Sequence, residues 1–357
     1  MADKVLVYQI GSLGDTIVSI PAYRAVRRHF SGKSITLLEA RMTDGRVMPS
    51  DMLLREGLID GVTNYPHNTA TNPLLSKFQL WRSVARERPK TVVYIGPGER
   101  TPKDVARDKS FFRLCGAKDL IGFHAYDLSQ IQTRDKEGNL PPSLHQTQIR
   151  LDRLEKDGVS SGPGDWLTPL LSASNEECEA VDAWLSENRK HSGLQLVGVG
   201  LISAKAATRW PMEHFEDLGR RLIATGKVEL ILTGGPMDKD VSEAMVASWG
   251  DGLNASGQFG VNAMGHLLSR CHHFIGLDTG TTHLAAAFGT RVIAITADHM
   301  QPNEWSPLGD GHIVLTHRVG CGGCRVPVCP VPGHPCMVGL TVEEVFNASM
   351  RLLDQSP

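Results

Sequence analysis

Two short polar segments of the sequence each follow an apolar run and precede a helical pattern. In the first, residues 11–15, Gly11 and Gly14 allow a tight turn, and Asp15 stands near a helix N-terminus. A carboxylate in that position can take a proton from a substrate hydroxyl as a general base. Aspartate is also a favoured helix N-cap, so a purely structural role stays open. The segment lacks the third glycine of the dinucleotide-binding fingerprint.

The second polar segment, 276–283, again runs from a strand into a helix. Its polar residues are Asp278, Thr279, Gly280, Thr281, Thr282 and His283. Backbone N–H groups and hydroxyls at a helix N-terminus suit a diphosphate, and a histidine can add a donor to a phosphate oxygen. The carboxylate of Asp278 can accept hydrogen bonds from sugar hydroxyls. The alternative is a capped core helix that begins at Leu284.

Two further loops could serve the same ligand, because each follows a predicted strand. Their candidate binding residues are Lys205, Thr208, Arg209, Gly234, Gly235 and Asp238. Lysine and arginine can neutralise phosphate, whereas Asp238 stands where it could hold ribose hydroxyls. The triplet 238–240 resembles an Asp-x-Asp metal motif, but it follows a Gly-Gly-Pro turn and is typical of a solvated first helical turn.

Four of the seven cysteines, Cys321, Cys324, Cys329 and Cys336, lie within sixteen residues. Four thiolates can bind zinc or iron, and a closed four-sulfur site would be structural. Only the first two have the usual metal half-site spacing, so reduced thiols are an equal alternative. The other three cysteines are scattered and indicate small buried residues.

Short apolar runs alternate with helical patterns in both halves of the chain, which is typical of parallel sheets covered on both faces. The predicted strands are 5–10, 35–38, 91–95, 196–199, 228–233, 273–277 and 292–296. The predicted helices are 16–30, 74–90, 213–224, 282–288 and 341–353. Prolines, glycines and charges predict loop or linker structure over 130–164. The simplest architecture has two doubly wound domains, 1–165 and 166–340, with ligands at the carboxyl ends of the strands.

Composition bounds the class of protein. The 357 residues are 41% hydrophobic and 21% charged, with a formal net charge of −2, and this argues against a nucleic-acid-binding protein. No apolar run is long enough for a signal peptide or a membrane span, so we expect a cytoplasmic protein. Between residues 82 and 113, nine lysines or arginines face four acids. This excess could bind an acidic acceptor or an anionic membrane surface, although helix surfaces commonly carry such charge.

Taken together, these segments resemble the ADP-heptose–lipopolysaccharide heptosyltransferases of glycosyltransferase family nine. The resemblance covers most of the chain and lies in five segments that occur in the family's order. They are SLGDTIVSIPAYRAVRRHF, GAKDLIGF, RWPMEHFEDLGRRL, LTGGPMD and DTGTTHLAAAFGT. The clustered cysteines also resemble a subset of that family.

The resemblance implies a GT-B fold of two Rossmann-like domains facing across a cleft. The N-terminal domain would bind the acceptor, with Ser12, Gly14, Arg100 and Lys103 as contacts. The C-terminal domain would bind an ADP-sugar, and the helix 341–354 would pack back on the first domain. The implied reaction is inverting heptose transfer with Asp15 as base, needing no cofactor and no metal at the reacting carbon.

Two departures from the family pattern bear on the donor. Thr208 stands where the family often has a lysine, so Lys205 or Arg209 would have to neutralise the diphosphate, and Thr281 replaces a residue that is usually proline. The acceptor could be inner-core lipopolysaccharide, a protein hydroxyl or a small metabolite, with peripheral membrane association at the inner face. A nucleotide-sugar epimerase and a non-enzymatic nucleotide-sugar-binding protein are the alternatives.

Overall fold

The chain folds into two α/β units. The structure, a computed structural model, describes residues 4–41, 47–66, 73–96, 100–125, 134, 136 and 140–355. The N-terminal unit contains the described residues up to 125 together with Leu144–Leu167. The C-terminal unit contains the described residues of 132–143 and the chain from Thr168 onward. The boundary therefore lies two residues beyond the predicted one, and a short earlier segment belongs to the second unit.

The N-terminal unit is built on a five-stranded parallel sheet. Its strands are β1 (Lys4–Tyr8), β2 (Ser34–Arg41), β3 (Gly61–Pro66), β4 (Thr91–Tyr94) and β5 (Asp119–Ile121), in the order β3-β2-β1-β4-β5. Its helices are α1 (Leu13–Val18), α2 (Ile20–His29), α3 (Pro49–Arg55), α4 (Pro73–Glu87), α5 (Pro102–Leu114) and α6 (Gln146–Glu155). The order reverses direction at β1, and in such sheets ligands bind where the strand order reverses.

Two sequence predictions in this unit are wrong. Residues 130–164 were predicted to form loops, but they contain α6, whose buried face carries Gln146, Arg150 and Arg153 beside its leucines. Because polar residues lie on the buried face, apolar residues do not recur at helical spacing. The hydrophobic pattern of the sequence therefore does not indicate this helix. On α4, the helical spacing of the apolar residues at positions 75, 78, 81, 84 and 85 predicts one buried face, yet Phe78 and Trp81 are 54% and 41% exposed.

The C-terminal unit is built on a six-stranded parallel sheet in the order β11-β10-β9-β6-β7-β8. Its strands are β6 (Gln195–Gly200), β7 (Val228–Leu232), β8 (Leu253–Asn254), β9 (His273–Leu277), β10 (Arg291–Ile295) and β11 (Ile313–Leu315). Its helices are α7 (Asn175–Asn188), α8 (Met212–Ala224), α9 (Lys239–Trp249), α10 (Val261–Ser269), α11 (Gly280–Ala287), α12 (Pro335–Val338) and α13 (Val342–Leu353). The fully buried runs of β7 and β9 are typical of strands covered on both faces.

The last helix, α13, was expected to pack on the N-terminal domain, and this prediction is wrong. Val345, Ala348 and Leu352 lie in the core of the C-terminal unit, with α8 as the main neighbouring helix. Just before α13, the carbonyl of Leu340 accepts a 2.9 Å hydrogen bond from the buried indole of Trp210. The amphipathic period predicted the helix, but it did not identify the surface that the helix covers.

Candidate active site

Asp15 lies at the third position of α1, where its carboxylate closes a capping box. The backbone N–H of Ser12 donates to Oδ2 at 2.8 Å, and the Ser12 hydroxyl donates to the same oxygen at 3.0 Å. Gly11 has a φ of +149°, and a Cβ there would lie 2.3 Å from the Asp15 Cβ. Glycine is therefore required for the turn that presents this carboxylate. The structural role of Asp15 is real, but it occupies only one of the two oxygens.

The second oxygen of Asp15 faces the guanidinium of Arg150, at 3.6 Å from Nη2. Arg150 lies on α6 and is only 2% exposed. Burial lowers its pKa to about 10, while the charge of Asp15 acts in the opposite direction, so the guanidinium stays protonated at neutral pH. The sequence analysis missed this residue because it lies in the segment predicted to be loop.

The other predicted acceptor contacts have separate positions in the N-terminal unit. Ser12 and Gly14 flank Asp15 in the first turn of α1. Arg100 precedes α5 and forms an ion pair with the buried Asp108, whereas Lys103 is exposed on α5. The acceptor-binding roles of these four residues stay predictions.

In the C-terminal unit, the polar segment after β9 divides into a half-buried and a buried part. Asp278, Thr279, Gly280 and Thr281 are half-buried, with Thr279 as the N-cap of α11. Thr282 is buried, and its hydroxyl donates to the carbonyl of Leu277. Its role at a diphosphate stays a prediction.

His283 is buried against the acidic residue of the same segment. It is 3% exposed, and its Nε2 lies 3.7 Å from Oδ1 of Asp278. Its Nδ1 has no hydrogen-bond partner among the described residues, and its ring lies 6.2 Å from that of Trp305. The side chain therefore contacts the acidic group of the segment, while its role toward a phosphate stays a prediction.

The two predicted cations of the loop after β6, Lys205 and Arg209, have different contacts. The hydroxyl of Thr208 contacts that of Ser203 at 2.6 Å, and Arg209 Nε donates to the Ser203 carbonyl at 2.8 Å. Both side chains therefore stabilise the loop itself. Lys205 is exposed, and its charge acts on His299 in the segment after β10.

The loop after β7 is closed by its own aspartate. The backbone N–H of Gly235 donates to Asp238 Oδ2 at 2.8 Å, and a Cβ at Gly234 would lie 2.7 Å from the same oxygen. This carboxylate therefore stabilises the turn before α9. Its predicted contact with ribose stays a prediction.

A cavity of about 330 Å³ opens beside Asp278 in the C-terminal unit. Its lining includes Asp278, Thr296, His299, Gln301, Trp305 and Arg318. Burial lowers the pKa of His299, Lys205 and Arg325 lower it further, and Asp278 opposes them. These interactions bring the segments after β6, β9 and β10 together around one histidine.

Most of the cavity lining was missed by sequence reasoning. Thr296, Ala297 and His299 immediately follow β10, a strand that was predicted with nearly its observed bounds. The carboxyl end of a parallel strand is where ligand-binding residues are expected, so their position was the available signal. Trp305 and Arg318 lie in longer loops, and no spacing pattern identifies them.

Asp298 fixes the loop that carries the cysteines to the end of β10. It is 4% exposed and accepts a 2.6 Å hydrogen bond from Arg318 and a 3.0 Å bond from the backbone N–H of Val319. Its own carbonyl accepts from Gly323 at 2.7 Å. A Cβ at Gly322 would lie 2.2 Å from the Asp298 carboxylate, so glycine is needed for this approach.

The cysteine cluster also contacts the β6 loop, and it forms no ligand set. Ala207 donates to the carbonyl of Pro327 at 3.0 Å, and His334 Nε2 lies 3.1 Å from the Ala207 carbonyl. Burial raises the pKa of the Cys336 thiol, and the neighbouring cysteines raise it further. Among the described residues, no three His, Cys, Asp or Glu side chains are placed to hold one metal ion. The residues present therefore do not fit the predicted structural metal.

Comparison with known proteins relates the C-terminal unit to a known family. Residues 173–334 match the sequence model of glycosyltransferase family 9 (heptosyltransferase). The matched region contains the loops after β6, β7, β9 and β10 and most of the cysteine cluster. The predicted resemblance to glycosyltransferase family 9 is therefore confirmed for residues 173–334.

Individual relatives extend the comparison. Lipooligosaccharide heptosyltransferase 2 of Campylobacter jejuni is 31% identical over 87 residues, which are 24% of this chain and 27% of that protein. The match thus spans about a quarter of that curated relative. A family 9 glycosyltransferase structure from Veillonella parvula has a TM-score of 0.73 at 19% identity, covering 99% of this chain and 98% of that one. The Escherichia coli ADP-heptose lipopolysaccharide heptosyltransferase II has a TM-score of 0.65 at 17% identity, covering 98% of both chains. These structures confirm the predicted GT-B fold class.

Proposed function

We propose that this protein is an inverting glycosyltransferase that moves a heptose from ADP-heptose to an acceptor hydroxyl in lipopolysaccharide or another glycoconjugate. The observation that supports it most is the cavity beside Asp278, which is lined by residues from several loops of the family 9 unit. Relatives with this family's sequence or fold include heptosyltransferases of lipooligosaccharide and lipopolysaccharide. No cofactor is needed for the proposed reaction.

The cavity has the chemistry that a nucleoside diphosphate sugar requires. Trp305 offers an aromatic face for a base, and the carboxylate of Asp278 can accept from sugar hydroxyls. Arg318, Lys205 and the N-terminus of α11 are positive groups that can neutralise the diphosphate as it leaves. With these groups in place, we propose that transfer needs no metal ion at the reacting carbon.

The N-terminal unit supplies the base in this proposal. As the acceptor oxygen forms its bond to the anomeric carbon, its proton moves to Oδ1 of Asp15, the oxygen that does not take part in the capping box. The bond from the anomeric carbon to the phosphate oxygen breaks in the same step, and ADP leaves with the electron pair. One displacement of this kind inverts the anomeric configuration. Ser12, Gly14, Arg100 and Lys103 remain the proposed acceptor contacts.

We further propose that the cationic face of the N-terminal unit rests on an anionic membrane that carries the acceptor. None of the helices that the structure describes is long and apolar enough to cross a bilayer. Helices α4 and α5 pack on the same core cluster, through Val84 and Val105 respectively. Their exposed side chains include Lys77, Arg82, Arg86, Lys103, Arg107, Lys109 and Arg113. Exposed Phe78 and Trp81 lie among these cations, a combination that suits the interface of an anionic bilayer.

The donor proposal is tested by thermal denaturation with ADP, ADP-heptose and UDP, GDP and dTDP sugars. A ligand at a hundred times its Kd stabilises the fold by about 2.7 kcal/mol. We expect stabilisation by ADP and ADP-heptose in the wild type and in Asp240→Ala, an exposed carboxylate on α9, and its loss in Asp278→Ala. Stabilisation by another nucleotide sugar would keep the transferase but overturn the heptose, and no stabilisation by any ligand would refute the donor site.

The finer parts of the proposal have separate tests. The proton NMR spectrum of the product should show the anomeric configuration opposite to that of the donor, and EDTA should leave the rate unchanged. Sedimentation with vesicles should show binding to anionic lipid that weakens in Trp81→Ala but not in Met237→Ala, which is 88% exposed in the C-terminal unit. Equal binding of both variants would refute the membrane surface.

A further inference from the structure

Helix α6 places a buried guanidinium against the proposed base. Arg150 Nη1 donates to the carbonyl and side-chain oxygens of Gln146 at 2.8 and 3.0 Å. These two bonds fix the plane of the guanidinium, so that Nη2 lies 3.6 Å from Oδ1 of Asp15. At this distance the cation acts on the carboxylate by charge, and it leaves the Oδ1 lone pairs available to a substrate proton.

The first turn of α6 is joined directly to the last turn of α1. The buried hydroxyl of Thr147 donates to the carbonyl of Val18 at 2.6 Å. His145 caps α6, with its Nδ1 accepting from the Thr147 backbone N–H at 3.1 Å. Because α1 carries Asp15 and α6 carries Arg150, these contacts hold the ion pair at a fixed separation. The ion pair is therefore held by the contacts between α1 and α6 and is not a chance contact of two surface side chains.

Several titratable groups face Arg150 from the neighbouring elements. They are Asp15 on α1, Arg153 on α6, Tyr94 on β4 and Tyr23 on α2. Burial raises the pKa of Tyr94 to about 12, and burial also raises that of Tyr23 well above its ordinary value, with Glu39 on β2 adding to the effect. Both tyrosines are therefore neutral at physiological pH. Asp15 is the carboxylate among the groups that act on the guanidinium.

We propose that Arg150 is a positioning residue that holds Oδ1 of Asp15 turned toward the acceptor hydroxyl during transfer. This inference rests on the proposed function, in which Oδ1 of Asp15 takes the proton of the acceptor hydroxyl. A buried cation at 3.6 Å attracts Oδ1 and limits rotation of the carboxylate without occupying this oxygen. The carboxylate is then already oriented when the acceptor binds.

The test is a separate measurement of kcat and KM for ADP release from ADP-heptose, with lipopolysaccharide inner core as acceptor. In Arg150→Met we expect kcat to fall about 10- to 100-fold, because a misplaced catalytic group can cost about 10²-fold, while KM for ADP-heptose stays near the wild-type value. Arg150→Lys should recover part of the lost kcat, because it keeps the charge.

Arg153→Met is the matched control. Arg153 lies on the same helix, is 3% exposed and donates to the Gly96 carbonyl at 3.3 Å rather than to Asp15. Its loss removes an equally buried cation, so a general effect on stability should appear in both variants. A kcat that falls in Arg150→Met alone supports the proposal. A kcat unchanged in Arg150→Met, or lowered equally in both variants, overturns it.

A second measurement covers the case in which Arg150→Met does not fold. The free energies of unfolding of the wild type, Asp15→Asn, Arg150→Lys and the double variant are compared in urea at pH 7. If Arg150 acts on Asp15, Arg150→Lys costs less stability in the Asp15→Asn background than in the wild type, and equal costs in the two backgrounds overturn the pairing. An inactive wild type, or an Asp15→Asn variant with full activity, would refute the proposed function instead, so the two failures are distinguishable.

Discussion

His273 gives a quantitative prediction about acid stability. The side chain opens β9, is fully buried, and its Nε2 lies 2.8 Å from the Ser349 hydroxyl on α13. Its Nδ1 faces that of His272 at 3.0 Å. Burial, with the charges of His272 and Arg291, lowers the pKa of His273 to about 3. The folded state therefore binds this proton far more weakly than the unfolded chain, in which the pKa is about 6.5.

The sign of the effect follows from that difference. Above pH 6.5 both states are neutral at His273 and the residue adds no pH dependence. As pH falls from 6.5 toward 3, the unfolded chain takes up the proton and the folded unit does not, so stability is lost. At pH 5 the loss is about 1.5 pH units at 1.36 kcal/mol each, or about 2 kcal/mol. Solvent screening does not reduce this loss of stability, because the ring is 0% exposed.

The assay is urea unfolding of the C-terminal unit at pH 7.5 and pH 5.0, followed by tryptophan fluorescence. Trp210 and Trp249 lie in the core of this unit and report its unfolding. The wild type should lose about 2 kcal/mol more than His273→Gln between the two pH values, since glutamine does not titrate. His191→Gln, at an exposed histidine, should behave as the wild type does. Equal losses in the wild type and His273→Gln would refute the reasoning.

Three further predictions concern the site. Asp15→Asn should lower kcat by about 10²- to 10⁴-fold through loss of the base, while the rise in melting temperature with ADP stays unchanged; an active variant would contradict the assignment. Asp298→Ala should destabilise the protein by about 2–4 kcal/mol in urea unfolding, because it loses the charge-assisted bond to Arg318 and the bond to the Val319 N–H. Trp305→Ala should weaken ADP binding about tenfold in calorimetry if the indole stacks on the base, whereas unchanged affinity would exclude that contact.

Strands buried on both faces and the loops that follow them were predictable from sequence. The bounds 273–277 predicted for β9 are those observed, because HFIGL is a continuous buried run between a polar segment and a glycine-rich turn. The same reasoning identified Asp15 and Asp278 by their positions after strands. The α/β class with two doubly wound sheets is confirmed for the same reason.

Features that depend on packing between distant segments were not predictable. Arg150 is buried on a helix whose inward face is polar, so neither hydrophobic period nor composition identifies it. Thr208 and Thr282 were expected at a ligand, but each hydroxyl satisfies a backbone carbonyl of its own loop, a local alternative that sequence cannot exclude. The surface beneath α13 and the partners of Asp298 are set by residues twenty or more positions away.

The chain passes from the second unit back to the first at residue 144. This order limits which segments can fold together while the chain is being synthesised on the ribosome. The short segment before it is held by late residues: Ser143 N–H donates to the Pro302 carbonyl at 2.9 Å, and Gln301 donates to the Pro141 carbonyl at 3.0 Å. These partners emerge about 160 residues later, which is a delay of roughly 8–32 s at about 5–20 residues per second. The N-terminal unit gains α6, and with it Arg150, well before that segment can dock. Nascent chains stalled near residue 200 should therefore contain a folded N-terminal unit joined to an undocked connector.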